Sequence, residues 1–394
     1  MLSLKDLFLK HIAQTSPEPI FLEIESAKGI YLYDNIGKSY IDLISGISVS
    51  SIGHSNEQVI SAVNEQVSKY MHLMVYGEYV QKPQVKLAEK IAEISNQQFD
   101  SVFFVNSGSE AVEGALKLSK RFTGRKEIIA CNNAYHGSTI GALSLISHNE
   151  YTEKFKPLMQ NVKFLNFNNI EDLEQITKDT ACVIVEPVQG EAGYIPANFD
   201  FLQNIRNKCN ITGSLLIFDE VQTGMGRTGN FFAYQSYNVV PDIIVLAKAF
   251  GGGMPLGAFA SKQNVMECLS NNPILGHIST FGGHPVSCAA SLAAIEVIDN
   301  QKLIKQVEEK EKLFRKLLAH NKIKEVRGKG LMLAIQLDSF ENVKKCISYC
   351  LNKGLIIDWF LFCDSALRIS PPLIINNEQI TQSCKIILEA LENI

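Results

Sequence analysis

Between about residues 100 and 265, short apolar runs alternate with stretches of helical periodicity. The runs are SVFFVNS from Ser101, EIIACNN from Glu127, ACVIVEPV from Ala181, SLLIFDEV from Ser214, IIVLAKAF from Ile243 and LGAFASK from Leu256. Near-continuous apolar runs of this length are the signature of strands buried on both faces, so the pattern predicts an α/β domain built on a mainly parallel sheet. Ahead of it, GIYLYDNIGKSYIDLISG (Gly29 to Gly46) reads as a hairpin turning between Asp34-Asn35 and Gly37, and EQVISAVNEQV follows with helical spacing. Beyond about residue 295 the pattern changes to a long charged helix, DNQKLIKQVEEKEKLFRKLLAH. Strands KGLMLAIQL and ALRISPPLII and a final helix, EQITQSCKIILEALENI, complete an α+β tail.

The 394 residues exceed one domain of roughly 150. With 46% hydrophobic and 20% charged residues the chain has the composition of a globular protein with a large core. A net charge of −4 without a basic run excludes the electrostatic footprint of a nucleic-acid binder. No uncharged apolar stretch reaches the roughly 18 to 20 residues of a membrane span, and the N-terminus lacks a signal-peptide pattern, so a cytoplasmic protein is expected. Nine cysteines without a C-x-x-C pair read as reduced core thiols, with no metal expected; Cys346 and Cys350, four apart on a predicted helix, are the only pair with any ligand-like spacing.

Open α/β sheets bind ligands beyond the C-terminal ends of their strands, and four such ends carry polar groups. After the first run, Asn106-Ser107-Gly108-Ser109 precedes a helix. Ser107 and Glu110 have the spacing of a capping box, while the small residues also suit an anion cradle at a helix N-terminus. The second end is Asp219-Glu220, followed by QTGMGRTG. Gly224, Gly226 and Gly229 make a literal G-x-G-x-x-G, but the acidic pair precedes the glycines and no amphipathic helix follows. A glycine-rich surface loop is therefore expected in place of a dinucleotide site, which leaves an NAD-dependent dehydrogenase a poor alternative. At the third end Lys248 interrupts IIVLAKAF, where desolvation favours a neutral, nucleophilic amine. The fourth, NNAYHGST, offers Tyr135 and His136 as a flat face against a ring or as a packed aromatic pair.

Together, a phosphate cradle, an acid 29 positions before an embedded lysine and an aromatic face are the parts that hold pyridoxal phosphate. LLIFDEVQTGMGRTG followed by PDIIVLAKAFGGGMPLGA closely resembles the signature of class III pyridoxal-phosphate aminotransferases, the ornithine, acetylornithine and 4-aminobutyrate group. GISVSSIGHSNEQV, NSGSEA, AYHGST, VEPVQGEAGY, ISTFGGHP and LRISPPL extend the resemblance over nearly the whole chain.

The resemblance implies fold type I: a large, mostly parallel seven-stranded domain over residues 51–295, and a small domain made by residues 1–50 with 296–394. It implies that Lys248 carries pyridoxal 5'-phosphate as an imine and shuttles the proton, and that Asp219 pairs with the pyridine nitrogen. Gln222 would reach the phenolic oxygen, Ser107, Gly108 and Ser109 the phosphate, and Tyr135 the ring face, with His136 and Glu186 completing the cofactor site. Thr280 would serve the phosphate of a neighbouring subunit in a homodimer with shared sites. Glu191 and Arg368 match the family's gated carboxylate clamp, in which the glutamate masks the arginine when an amine end enters.

Ser138 departs from the pattern, standing where ornithine-type members carry a second carboxylate-binding arginine. With Ser279 it joins Glu191 and Arg368 as a candidate substrate residue. Of the seven arginines only Arg368 falls at a clamp position. The expected activity is ping-pong transfer of an amino group from an amino acid or ω-amine to a 2-oxo acid, in amino-acid metabolism. Ser138 weakens the expected acetylornithine preference and suits acceptors such as pyruvate. An aminomutase, racemase or decarboxylase on the same fold is the alternative.

Overall fold

The computed structural model describes residues 2–394. Its largest sheet has seven strands. In spatial order they are Ser101–Val105, Gly257–Ser261, Ile243–Leu246, Leu215–Asp219, Thr180–Val185, Glu127–Cys131 and Val162–Leu165. Gly257–Ser261 runs antiparallel to both neighbours and the remaining pairings are parallel. All six runs read from the sequence are present. The seventh strand, VKFL, has no such run: Lys163 interrupts it and it pairs only with Glu127–Cys131 at the sheet edge.

One face of the sheet is covered by the helix Gly108–Thr123, which buries Ala111, Val112, Ala115 and Leu118 against Ile128, Ile184 and Val245. The other face packs on the core shared with Pro285–Asn300 and the C-terminal elements. The ends of the parallel strands therefore open between these two layers, where loops rich in polar residues meet.

The hairpin strands Tyr31–Asp34 and Ser39–Asp42 are joined by an unforeseen strand, Ile24–Lys28, whose side chains are mostly exposed. Leu355–Ile356 adds to Ser39–Asp42 in parallel, so the two ends of the chain share one sheet. Strands Glu325–Lys329, Met332–Gln336, Cys363–Ile369 and Asp358–Phe360 form a separate antiparallel sheet. Cys346 and Cys350 are buried on the helix Phe340–Asn352 among apolar neighbours, as core thiols.

Two expectations need correction. The charged helix starts at Leu303, not Asp299. Asp299 and Asn300 end the preceding helix, and Lys302 turns the chain with φ of 52°. The GMGRTG loop is no surface loop. Residues 222 to 228 are buried, and Arg227 inside it donates to the carbonyls of Leu331 and Pro371 and to Ser51 Oγ. A buried polar loop needs such partners for its backbone and charge, and here the loop ties the large sheet to the C-terminal segment.

Candidate active site

At the C-terminal ends of the central strands lies a cavity of about 420 Å³, whose lining includes Ser107, Tyr135, Glu186, Asp219, Gln222 and Lys248. It brings together ten of the sequence candidates, the six above with Gly108, Ser109, His136 and Glu191. Four lie elsewhere.

The wall under Ser101–Val105 is a helix N-terminus. Ser107 is its N-cap, and Ser107 Oγ accepts from the Glu110 amide at 3.2 Å. The second half of the expected capping box is displaced: Glu110 Oε2 accepts from the Asn106 amide at 2.8 Å instead of from that of Ser107. Gly108 and Ser109 are the first helical residues, whose N–H groups have no helical acceptor and lie at the positive end of the macrodipole. An added Cβ at Gly108 would press on Val221 at 3.2 Å, so glycine keeps this backbone open. The chemistry of the wall is that of a phosphate cradle.

Opposite, Asp219 ends its strand with the carboxylate inside the cavity. Its Oδ1 accepts from the Val221 amide at 3.0 Å and its Oδ2 meets His136 Nδ1 at 2.7 Å. Burial disfavours charge on the His136 ring, but the hydrogen bond and charge of Asp219, with Glu186, outweigh it and raise its pKa. Glu186 is itself pushed up to about 7 by burial, although it accepts from the amides of Gly190 and Tyr135.

Lys248 follows the strand Ile243–Leu246 and has a left-handed backbone, φ of 53°, unusual for a residue with a side chain. Desolvation lowers its pKa; Glu191 and Arg368 act on it with opposite signs. Tyr135 is half-buried at the wall, its hydroxyl 2.9 Å from Ser138 Oγ. Gln222 Oε1 and His136 Nε2 are buried without a hydrogen-bond partner. Orphaned polar atoms facing a cavity need a polar occupant. Anion cradle, carboxylate, lysine and aromatic wall fit the phosphate, pyridine nitrogen, aldehyde and ring of pyridoxal phosphate.

Glu191 and Arg368 form a buried bidentate pair: Arg368 Nη1 donates to Oε1 at 3.1 Å and Nη2 to Oε2 at 2.7 Å. Burial opposes both charges, yet each holds the other ionised, keeping Glu191 below and Arg368 above its ordinary pKa. None of the seven arginines lines the cavity, and Arg368 meets it only through Glu191, which does. Arg206, for example, pairs with Asp242, and Arg125 donates to the carbonyls of Thr180 and Thr212.

Arg368, Ser138, Ser279 and Thr280 do not line the cavity. Ser138 is exposed beside it, its amide donating to Ser109 Oγ at 3.3 Å. Ser279 Oγ accepts from Asn106 Nδ2 and the Gly282 amide, and Thr280 is exposed next to it. Among residues not singled out from the sequence, Val49, Gly190, Val221 and Met254 line the cavity. All four fall inside the motifs that carry the family resemblance, Gly190 within VEPVQGEAGY; a Cβ there would stand 3.1 Å from Gln222 Nε2.

The family described as aminotransferase class-III matches residues 12–391. The chain belongs to the class III aminotransferases. It is 42% identical over 381 residues to the acetylornithine aminotransferase of Archaeoglobus fulgidus, covering 96% of this chain and 98% of that one. The [LysW]-aminoadipate semialdehyde/glutamate semialdehyde transaminase of Sulfolobus acidocaldarius is 38% identical over 94% of this chain and 95% of its own. Among solved structures, the ornithine aminotransferase of Toxoplasma gondii superimposes with a TM-score of 0.92 at 28% identity, covering all of this chain and 96% of that one. An amine transaminase from an uncultivated Pseudomonas species, solved in its PLP-bound form, gives 0.90 at 25% identity, over 97% and 98%. This aminotransferase is thus a pyridoxal-phosphate enzyme of the ornithine/acetylornithine type with the α/β architecture of fold type I. No helix among the described residues is long and apolar enough to cross a membrane.

Proposed function

We propose that this aminotransferase takes the side-chain amino group of an ornithine- or acetylornithine-like donor and passes it to a 2-oxo acid. The first product leaves before the acceptor binds. The observation that carries the reading is the buried Glu191–Arg368 pair beside Lys248. With the pair closed, the wall is neutral and admits an amine end; with Glu191 displaced, the guanidinium grips a carboxylate in a bidentate geometry. Masking also spares the empty site a buried, unpaired charge.

In this reading Ser107, Gly108 and Ser109 would hold the cofactor phosphate, Tyr135 would cover one ring face and Gln222 would hydrogen-bond the phenolic oxygen. Asp219 would keep the pyridine nitrogen protonated, with His136 orienting Asp219. When bound, pyridoxal phosphate supplies the electron sink for the pair left on the substrate carbon. Lys248 would bind the cofactor and move a proton at Nζ, and the burial that lowers its pKa favours the neutral amine this needs. Glu186, held by Gly190 and Tyr135, fixes the loop beside the ring.

Ser138 offers a neutral hydroxyl where a second arginine would bind a carboxylate, which suits an acceptor with one carboxylate and leaves the carboxylate of the donor without a second guanidinium. The names of the acetylornithine-type relatives support the donor class. The functional unit in this reading is a homodimer in which Thr280 reaches the partner's phosphate. Ile274, Leu275, Ile278 and Phe281 expose an apolar surface around Thr280 that a second copy would cover. Residues 51–295 form the large domain, with 1–50 and 296–394 forming the small one. The nine free cysteines fit a reducing, cytoplasmic setting.

A panel of donors and oxo acids, followed by the cofactor absorbance, tests the substrate assignment. Acetylornithine or ornithine alone should bleach the band and an oxo acid should restore it. Bleaching by neither donor would overturn the proposed donor class.

A further inference from the structure

The clamp has a third member. Glu191 Oε2 accepts from Arg368 Nη2 and also from the backbone amide of Leu361, at 3.0 Å. Arg368 Nη2 donates in turn to the Trp359 carbonyl at 3.0 Å, and the Arg368 guanidinium lies 4.6 Å from the centre of the Phe360 ring. One hairpin, Asp358–Phe360 turning through Leu361 and Phe362 into Cys363–Ile369, therefore touches both charges.

The two charges differ in freedom. Arg368 sits inside a strand paired with Met332–Gln336 and is held further by Trp359 and Phe360. Glu191 lies on a tight connection between Val188–Gln189 and Ile195–Pro196. The backbone there is pinned, because the Phe362 amide donates to the Glu191 carbonyl and Arg327 Nε donates to the Gly193 carbonyl at 2.6 Å. Gly193 has φ of 93°, and a Cβ there would collide with the Arg327 guanidinium. Opening the clamp is thus a motion of the Glu191 side chain alone, out of a fixed frame.

We propose that the Leu361 amide is the latch of the clamp and so a specificity determinant of the reaction. It holds Glu191 over Arg368 and sets how readily a substrate carboxylate displaces it. The inference rests on the reading in which Arg368 receives that carboxylate. When Glu191 swings away, the Leu361 N–H loses its acceptor, and an orphaned donor of this kind shifts such an equilibrium by roughly tenfold. The latch favours the closed state, hence the amine end of the donor, over the oxo acid. Leu361 and Phe362 are the two central turn residues between the paired positions Phe360 and Cys363. The first of these is where proline is tolerated, so Leu361→Pro removes the donor while Leu361→Ala keeps it.

Trp359, the only tryptophan, lies on this hairpin, packs edge-on against Phe340 of the helix Phe340–Asn352 and reports the transition through its fluorescence. The holoenzyme, loaded with pyridoxal phosphate, is titrated with 2-oxoglutarate, which this form cannot turn over. Leu361→Pro should lower the half-saturating concentration by about tenfold while Leu361→Ala stays near native. Equal values for the two variants would overturn the latch. Should Leu361→Pro fail to fold, amide hydrogen exchange on the native holoenzyme decides: the Leu361 amide should exchange several-fold faster with saturating 2-oxoglutarate than without, and unchanged protection would overturn the latch. Arg368→Lys in the same titration separates the two claims. Loss of binding there upholds the carboxylate clamp whatever Leu361 does, and undiminished binding removes the clamp itself.

Discussion

His136 Nδ1 stands 2.7 Å from Asp219 Oδ2, with both side chains buried beneath the cofactor cavity. The pair makes stability depend on pH in a definite direction. The folded-state pKa of His136 is raised, so what its charge contributes is complete below the ordinary value near 6.5 and is lost as pH climbs through the raised value. Glu186, raised by burial from 4.5 to about 7, acts in the same sense over the interval between those values and contributes roughly 3 kcal/mol. Urea unfolding of the apoenzyme at fixed protein concentration should show stability falling from pH 5 to 8. Glu186→Gln should flatten the fall below pH 7 and His136→Gln the part above 6.5. A native curve that rises with pH would contradict both assignments.

Asp219→Asn keeps the shape of the side chain but cannot hold a proton on the pyridine nitrogen as a carboxylate does. Turnover should fall by roughly a hundredfold or more while some cofactor is retained, as steady-state assay and absorbance of the bound cofactor would show. Near-native turnover would remove Asp219 from the site.

The hydroxyl of Ser138 meets that of Tyr135 at 2.9 Å and offers no charge. Ser138→Arg should raise the preference for 2-oxoglutarate over pyruvate by roughly tenfold, the worth of a charge-assisted hydrogen bond. Steady-state kinetics with both acceptors checks it. If the native enzyme already favours 2-oxoglutarate strongly and the ratio is unchanged in the variant, Ser138 is not the selector.

Thr280 is exposed beside an apolar surface and lies off its own chain's cavity. In the proposed shared-site homodimer, Thr280→Ala should weaken cofactor retention while leaving the native mass unchanged, as equilibrium dialysis and light scattering would report. A fully active monomer would contradict the shared site.

Strands buried on both faces were legible because a continuous apolar run admits few other readings. Val162–Leu165 and Ile24–Lys28 were not, since edge and surface strands need no such run. The cavity residues were legible through the polar groups that interrupt strand ends. Arg227 was hidden because glycine-rich sequence looks solvent-exposed, whereas its partners Ser51, Leu331 and Pro371 come from distant parts of the chain. The Leu361 amide was hidden for a stronger reason: a backbone donor has no side-chain identity to read, and Glu191 lies 170 positions away.

Lys248 is the proposed point of attachment of the cofactor, on which every other role in the site depends. Borohydride reduction of the holoenzyme, followed by peptide mapping, tests it directly. The cofactor should be fixed on the peptide carrying Lys248, with no labelling in Lys248→Ala; label on any other lysine of the native enzyme would contradict the assignment.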